Sequence, residues 1–270
     1  MRYRISVIGY FIHRVIPGNW WIHRIDTALR ESEDVKLCLL VIIGVTADGS
    51  KEWVAISDGL RESTESWLDV LRDLKERGLV LGPRLAVGDA ALGFWNVLEQ
   101  VDPETTAQRC WFHELGNVLA ALPKSLHAKA KADLQAIWMA PTRQEAVRAL
   151  ERFRARYGAK YPKAVEKLEK GREALLAFFD FPAEHWVHLR TTNPIESSFA
   201  TVRHRTRQTK NFVSRSTFLG LAFKLAEEAA KTWRRIRAPE KAVDVLAGRR
   251  YQDGIAVPDD PQGEGQREAA

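Results

Sequence analysis

The sequence predicts an α/β fold, a mixed sheet flanked by helices, and three observations carry that expectation. The run LCLLVIIGV, Leu37 to Val45, is continuously apolar and β-branched, as in a strand buried on both faces. The turn pair Asp48-Gly49 and the segment KEWVAIS, Lys51 to Ser57, complete a hairpin. Trp67, Val70, Leu71 and Leu74 then recur at helical spacing between Glu65 and Arg77, and Gly78 sits where glycine ends a helix. That helix returns the chain to the sheet.

The next stretch, LVLGPRLAVGD, predicts a short strand over Leu85 to Val87 that stops at Gly88 and Asp89. An acid at the carboxyl end of a strand sits where α/β sheets carry their chemistry, and the glycine lets backbone approach a ligand. Asp89 suits equally well the N-cap of a helix starting near Ala90, whose apolar face holds Leu92, Trp95, Leu98 and Val101. A strand over Ala107 to Trp111 leads into Cys110 and His113. Their C-x-x-H spacing has no second pair nearby, which argues against a structural zinc with four protein ligands. The expectation is a buried cysteine and a histidine bonded to a polar group at the edge of a cleft.

From Pro123 to Phe179 the pattern is helical, with segments at Lys124 to Trp138, Arg143 to Tyr157 and Pro162 to Phe179 broken by Pro141, Gly158 and Pro162. The motif TTNPIES follows. Asn193 reads as an N-cap and Pro194 as the first helical residue, which makes Glu196 the third. Glu196 then closes a capping box or serves as a catalytic acid; the spacing allows both. The last helix is expected over Ser216 to Arg237, with Phe218, Leu221, Leu225, Ala229 and Trp233 on one side, and a polar, disordered tail after Pro258.

Bulk properties narrow the function. With 270 residues and 45% hydrophobic content the chain can bury a large core. The net charge of +6 is uneven, because Arg203, His204, Arg205, Arg207 and Lys210 open a basic region that runs to position 237. Such a face suits nucleic acid, or is a solvated helix surface. Two cysteines fit a reducing cytoplasm rather than a disulfide framework. Arg4, His13 and Arg14 interrupt the apolar opening, so no export signal is read, and Leu37 to Val45 is too short to span a bilayer.

The order hairpin, helix, strand with a terminal acid, helix, strand, helical excursion and Asn-Pro-Ile-Glu helix resembles the ribonuclease-H-like fold of DDE transposases. The stretches LCLLVIIGVTADGSKE, RESTESW, AVGDAALGFW, QRCWFHE, YPKAVEK and FDFPAEHWVHLRTTNPIESSFATVR resemble the bacterial mutator-type insertion-sequence transposases. The likeness implies a catalytic core over 19–122, a helical insertion over 123–185, and glutamate-bearing and basic helices over 186–257, between an unmatched segment 1–18 and a tail 258–270. It implies cutting and joining of DNA by two Mg2+ ions, with Mn2+ as a substitute, about 4 Å apart and held by two aspartates and a glutamate. Asp89 matches the second aspartate, Glu196 the glutamate, and Cys110 and His113 a site-supporting C-x-x-H element, with Asn193 beside them. Arg203, Arg205, Arg207 and Lys210 are the expected DNA contacts. Trp186 stacks on an unpaired base or fills the core. Partners are then DNA, at element ends and target, and further copies of the chain, with a cytoplasmic, nucleoid-associated location and no membrane.

The likeness departs at the amino end. Its first aspartate, two residues after a tryptophan, falls on His23. The nearby acid, Asp26, lies an odd number of residues away and serves only if a bulge re-aims it. The implied amino-terminal DNA-binding region has no match in Met1 to Gly18, as in a truncated copy. Two functions stay open: a transposase catalytic domain with weakened strand transfer, and an inactive remnant that binds DNA or poisons an intact partner.

Overall fold

A strand apolar on both sides needs a layer on each, and the computed structural model supplies them. It describes residues 19–32, 35–60, 63–90, 93–193, 195–196, 200 and 215–258. The sheet is built from β1 (Asn19–Ser32), β2 (Val35–Val45), β3 (Lys51–Leu60), β4 (Leu85–Gly88) and β5 (Thr106–Arg109) in the order β3-β2-β1-β4-β5. β1 and β3 run antiparallel to β2, whereas β4 lies parallel to both β1 and β5. This is the mixed sheet of the ribonuclease-H-like fold.

Alternation along the strands divides the core. Trp20, Ile22, Leu40, Ile42 and Ala86 pack with Trp67, Val70, Leu71 and Leu74 of α1 (Thr64–Glu76) and Phe94, Val97 and Leu98 of α2 (Phe94–Val101). Trp21, Val41, Ile43, Leu85 and Val87 face the opposite way, into the cluster that holds Trp111 and the later helices. Both turns follow local chemistry. The hairpin closes with Gly49 N–H on the Thr46 carbonyl at 2.9 Å, and Gly49 takes φ +79°, where a Cβ would meet Pro239 Cβ at 2.4 Å. α1 ends with Gly78 at φ +101°, its N–H on Lys75 O and that of Leu79 on Leu74 O, a Schellman motif.

After β5 the chain is helical. α3 (Trp111–Leu119), α4 (His127–Trp138), α5 (Arg143–Tyr157), α6 (Pro162–Lys170), α7 (Arg172–Leu176) and α8 (Trp186–Leu189) precede α9, which is helical at residues 193, 195, 196 and 200. α10 (Arg215–Ala230) and α11 (Glu240–Leu246) lead to a small ribbon, β6 (Tyr251–Gln252) and β7 (Ile255–Ala256). Among the described residues no helix is long and apolar enough to cross a membrane.

Four local expectations are corrected. The strand expected over Ala107 to Trp111 ends at Arg109, and Trp111 opens α3. The third insertion helix breaks at Gly171, where a Cβ would stand 2.2 Å from Arg109 Nη1. The last helix stops at Ala230 rather than Arg237, because Ile236 N–H bonds Gly49 O at 3.0 Å and Trp53 takes Trp233 at 4.7 Å, pulling the chain off the helix axis. α2 starts at Phe94, capped by Gly93, so Asp89 is not a helix cap.

Candidate active site

Asp89 leaves the end of β4, whose four residues are all buried, so the strand presents this acid at the sheet's rim. Its carbonyl accepts from Trp95 Nε1 at 2.7 Å, which ties the rim to α2. β1 lies alongside, with Trp20 level with Ala86 and Trp21 with Val87, and position 23 follows on β1 two residues beyond Trp21. The antiparallel ladder of β1 with β2 is regular from Trp20↔Gly44 to Asp26↔Cys38, and its irregularity falls after Asp26. Between positions 23 and 26 that ladder shows no register shift.

The second half of the site is assembled at one junction. Cys110 N–H bonds Gly88 O at 2.8 Å, and the next amide, Trp111 N–H, bonds Arg190 O at 2.8 Å. Two consecutive residues thus hold the end of β4 and the approach to α9 side by side. Thr192, fully buried, donates its backbone N–H to Cys110 Sγ at 3.3 Å; its Oγ1 lies 3.3 Å from the same sulfur and donates to Glu196 Oε1 at 2.6 Å. Glu196 Oε1 also faces His113 Nε2 at 3.8 Å.

Thr192, not Asn193, precedes the first helical residue. Glu196 N–H returns to the Thr192 carbonyl at 3.1 Å, and Asn193 is already helical and exposed. Glu196 is helical, three positions after Asn193, and its carboxylate accepts from a threonine hydroxyl where a capping box has a backbone N–H.

Electrostatics join the two halves. A hydrogen bond with Cys110 raises His113 to about 9 against the opposing effect of burial, and the negative charges of Cys110, Asp89 and Glu196 add to the rise. Burial acts to raise the Cys110 thiol, but hydrogen bonds from His113 and Thr192 outweigh it and hold it below the ordinary thiol range. Asp89, just past β4, and Glu196 on α9 thus both act electrostatically on the one His113 ring, and Glu196 lies near it at 3.8 Å. Beside them Glu114, 3% exposed, has its carboxyl pushed up by burial, with Arg109 opposing.

Of the sequence-predicted residues, Asp89, Cys110, His113 and Glu196 come together. Trp186 is a core residue: Phe178 and Phe179 pack edge-on at 5.4 and 4.9 Å, Arg190 lies over its ring, and its Nε1 donates to Phe181 O at 2.9 Å. Of the two readings of this side chain, core filling is the one its packing matches. Arg203, Arg205, Arg207 and Lys210 lie outside the described residues. Two residues were not anticipated. Thr192 is the hub of the network, and Gln108, fully buried, joins β5 to the insertion through Leu175 O at 3.2 Å and Phe178 N–H at 2.8 Å.

Sheet order and rim acids define a ribonuclease-H-like α/β protein with an all-helical excursion ahead of its glutamate. The chain belongs to the Mutator family of transposases, whose family model matches residues 20–236. It is 61% identical over 234 residues to the transposase for insertion sequence element IST2 of Acidithiobacillus ferrooxidans, across 85% of this chain and 79% of that protein. It is 53% identical over 234 residues to the transposase for insertion sequence element IS6120 of Mycolicibacterium smegmatis, across 87% of this chain and 72% of the other. The transposase for insertion sequence element ISRM5 of Rhizobium meliloti is 31% identical over 195 residues, 72% of this chain and 49% of that protein.

Proposed function

We propose that this chain is the catalytic part of an insertion-sequence transposase, cutting DNA at element ends and joining it to a target with divalent metal ions. The observation that carries the reading is the convergence of Asp89 and Glu196, far apart in sequence, on His113. Their donor set fits: two carboxylates offer the hard oxygens that Mg2+ prefers, and Mn2+ accepts the same ligands. Bound between them, such ions would activate water or a 3′-hydroxyl and stabilise the departing oxygen of a phosphodiester. The chain's own residues set the conditions. Thr192 fixes one oxygen of Glu196, His113 balances the carboxylates, and Arg203, Arg205, Arg207 and Lys210 of the sequence would supply phosphate contacts.

Mg2+-dependent nicking of duplexes carrying candidate terminal repeats tests the reading. Wild type should cut, and Asp89→Asn and Glu196→Gln should abolish cutting while DNA affinity stays within about twofold, since neither replacement removes a cation. Equal cutting by both variants would overturn it.

A second reading rests on position 23. With histidine at position 23, where the family resemblance implies a carboxylate, the metal set is one ligand short, and on this reading the chain is a DNA-binding regulator that forms mixed oligomers with an intact transposase. Mixing it with an active relative separates the two: a regulator depresses the relative's activity and has none of its own.

A further inference from the structure

Among the described residues the C-x-x-H pair has no second such pair beside it, yet the fold brings it a third ligand. Cys110 Sγ, a His113 ring nitrogen and a Glu196 carboxylate oxygen all lie within 4.8 Å of one another. We infer that these three side chains form a binding site for a thiophilic divalent cation, Zn2+ by preference, separate in chemistry from a magnesium site and sharing Glu196 with it.

The donors decide the class of metal. Sulfur and imidazole select borderline and soft ions, whereas Mg2+ takes hard oxygens and keeps much of its water. Three protein ligands with the fourth position open is the pattern of an accessible zinc site rather than a closed structural one. Zinc bond lengths of roughly 2.0–2.3 Å set tetrahedral donors about 3.5 Å apart. The His113–Glu196 pair already stands at 3.8 Å, so the remaining contraction falls on the sulfur.

Surroundings support the geometry. His113 and Cys110 lie one turn apart at the start of α3, which fixes their spacing. The sulfur is buried, whereas the His113 and Glu196 side chains each keep 24% exposure, so an ion enters from the imidazole and carboxylate side. Thr192 bonds both Cys110 and Glu196 and orients two ligands at once, as outer partners of metal sites do. An ion held here occupies Glu196. On the transposase reading it therefore withdraws that carboxylate from magnesium and stops the reaction; the binding itself does not rest on that reading.

Titration of the folded chain with Co2+ alone tests the site without any assay of activity. The expected result is one cobalt per chain, with thiolate-to-cobalt charge transfer and the visible bands of tetrahedral cobalt, both lost when Zn2+ displaces it. Cys110→Ser should remove the charge-transfer band, and His113→Asn should weaken binding by more than about tenfold, the scale on which even outer partners act. Cys38→Ser should change neither, because Cys38 sits in the β1–β2 ladder with its thiol on Gly59 O. Circular dichroism checks that each variant is folded; should Cys110→Ser not fold, His113→Asn decides alone. Absence of a thiolate band in wild type, or cobalt binding unchanged in His113→Asn, overturns the inference. Mg2+-dependent cutting in a chain with no cobalt site would sink this inference and leave the transposase reading standing, and the reverse pattern would do the opposite.

Discussion

Replacing Thr192 with valine removes one hydroxyl from the centre of the site and keeps the side chain's shape. That hydroxyl donates to Glu196 Oε1 at 2.6 Å and lies 3.3 Å from Cys110 Sγ, while the backbone N–H to the sulfur survives the change. A hydrogen bond to a charged group contributes about 1.5–3 kcal/mol. Glu196 retains enough exposure for water to replace the hydroxyl in part, which places that bond at the low end, about 1.5 kcal/mol. The contact with sulfur is longer and weaker and adds ~0.5 kcal/mol. The total of about 2 kcal/mol lowers the melting temperature by about 4–8 °C for a chain of this size. Urea unfolding reads it as a lower midpoint at unchanged slope. Thr192→Ser restores the hydroxyl and should recover most of the loss, in stability and in Mg2+-dependent cutting alike. A valine variant within ~0.5 kcal/mol of wild type, or a serine variant as weak as the valine one, would refute the role assigned to the hydroxyl.

Further outcomes follow from the same structure. Burial holds His188 at about 4, helped by the charges of Lys51, His185 and Arg237, and its Nε2 accepts from Arg237 N–H at 3.1 Å. Its folded pKa lies below the unfolded value of about 6.5, so stability is full above that pH and falls as pH drops toward 4, by about 2 kcal/mol after allowance for partial exposure. His188→Gln keeps an acceptor and should flatten that slope in melting curves taken between pH 7 and 4.5. Gln108→Met keeps the shape but strands the buried Phe178 N–H; Leu175 O keeps Trp111 Nε1 at 2.9 Å whereas Arg109 O loses its 2.8 Å bond from Gln108 Nε2, and the cost is about 1–3 kcal/mol by denaturant unfolding. His23→Asp adds a carboxylate on β1 two residues beyond Trp21 and, on the transposase reading, should tighten Mn2+ binding by calorimetry and raise cutting; no change in either would count against a metal-binding role for position 23.

The parts of the fold that periodicity governs are legible in the amino-acid string. β2 needs no partner to be recognised, because nine residues without a polar side chain fit only a strand with cover on both faces. Asp89 is legible as a strand-end acid. Where two local solutions compete, tertiary contacts decide. Thr192 and Asn193 are both good N-caps, and only the bond to Cys110, 82 residues away, selects the threonine. Helical propensity continues through Lys231 and Arg234, yet α10 ends earlier, because Ile236 is buried against the hairpin turn. No spacing rule joins Cys110 and His113 to Glu196; family resemblance pointed to these residues, and the network through Thr192 appears only in three dimensions.

The paired amides of Cys110 and Trp111 carry a kinetic consequence. One closes the short excursion from Gly88 and the other the long one to Arg190, so the rim of the sheet and the start of α9 meet only after the entire helical excursion has been synthesised and docked. Loop closure of that length is costly and rewarded late. A nascent chain leaving the ribosome can pair its early strands while its acidic groups are still held apart. The complete site then arises only in the finished molecule.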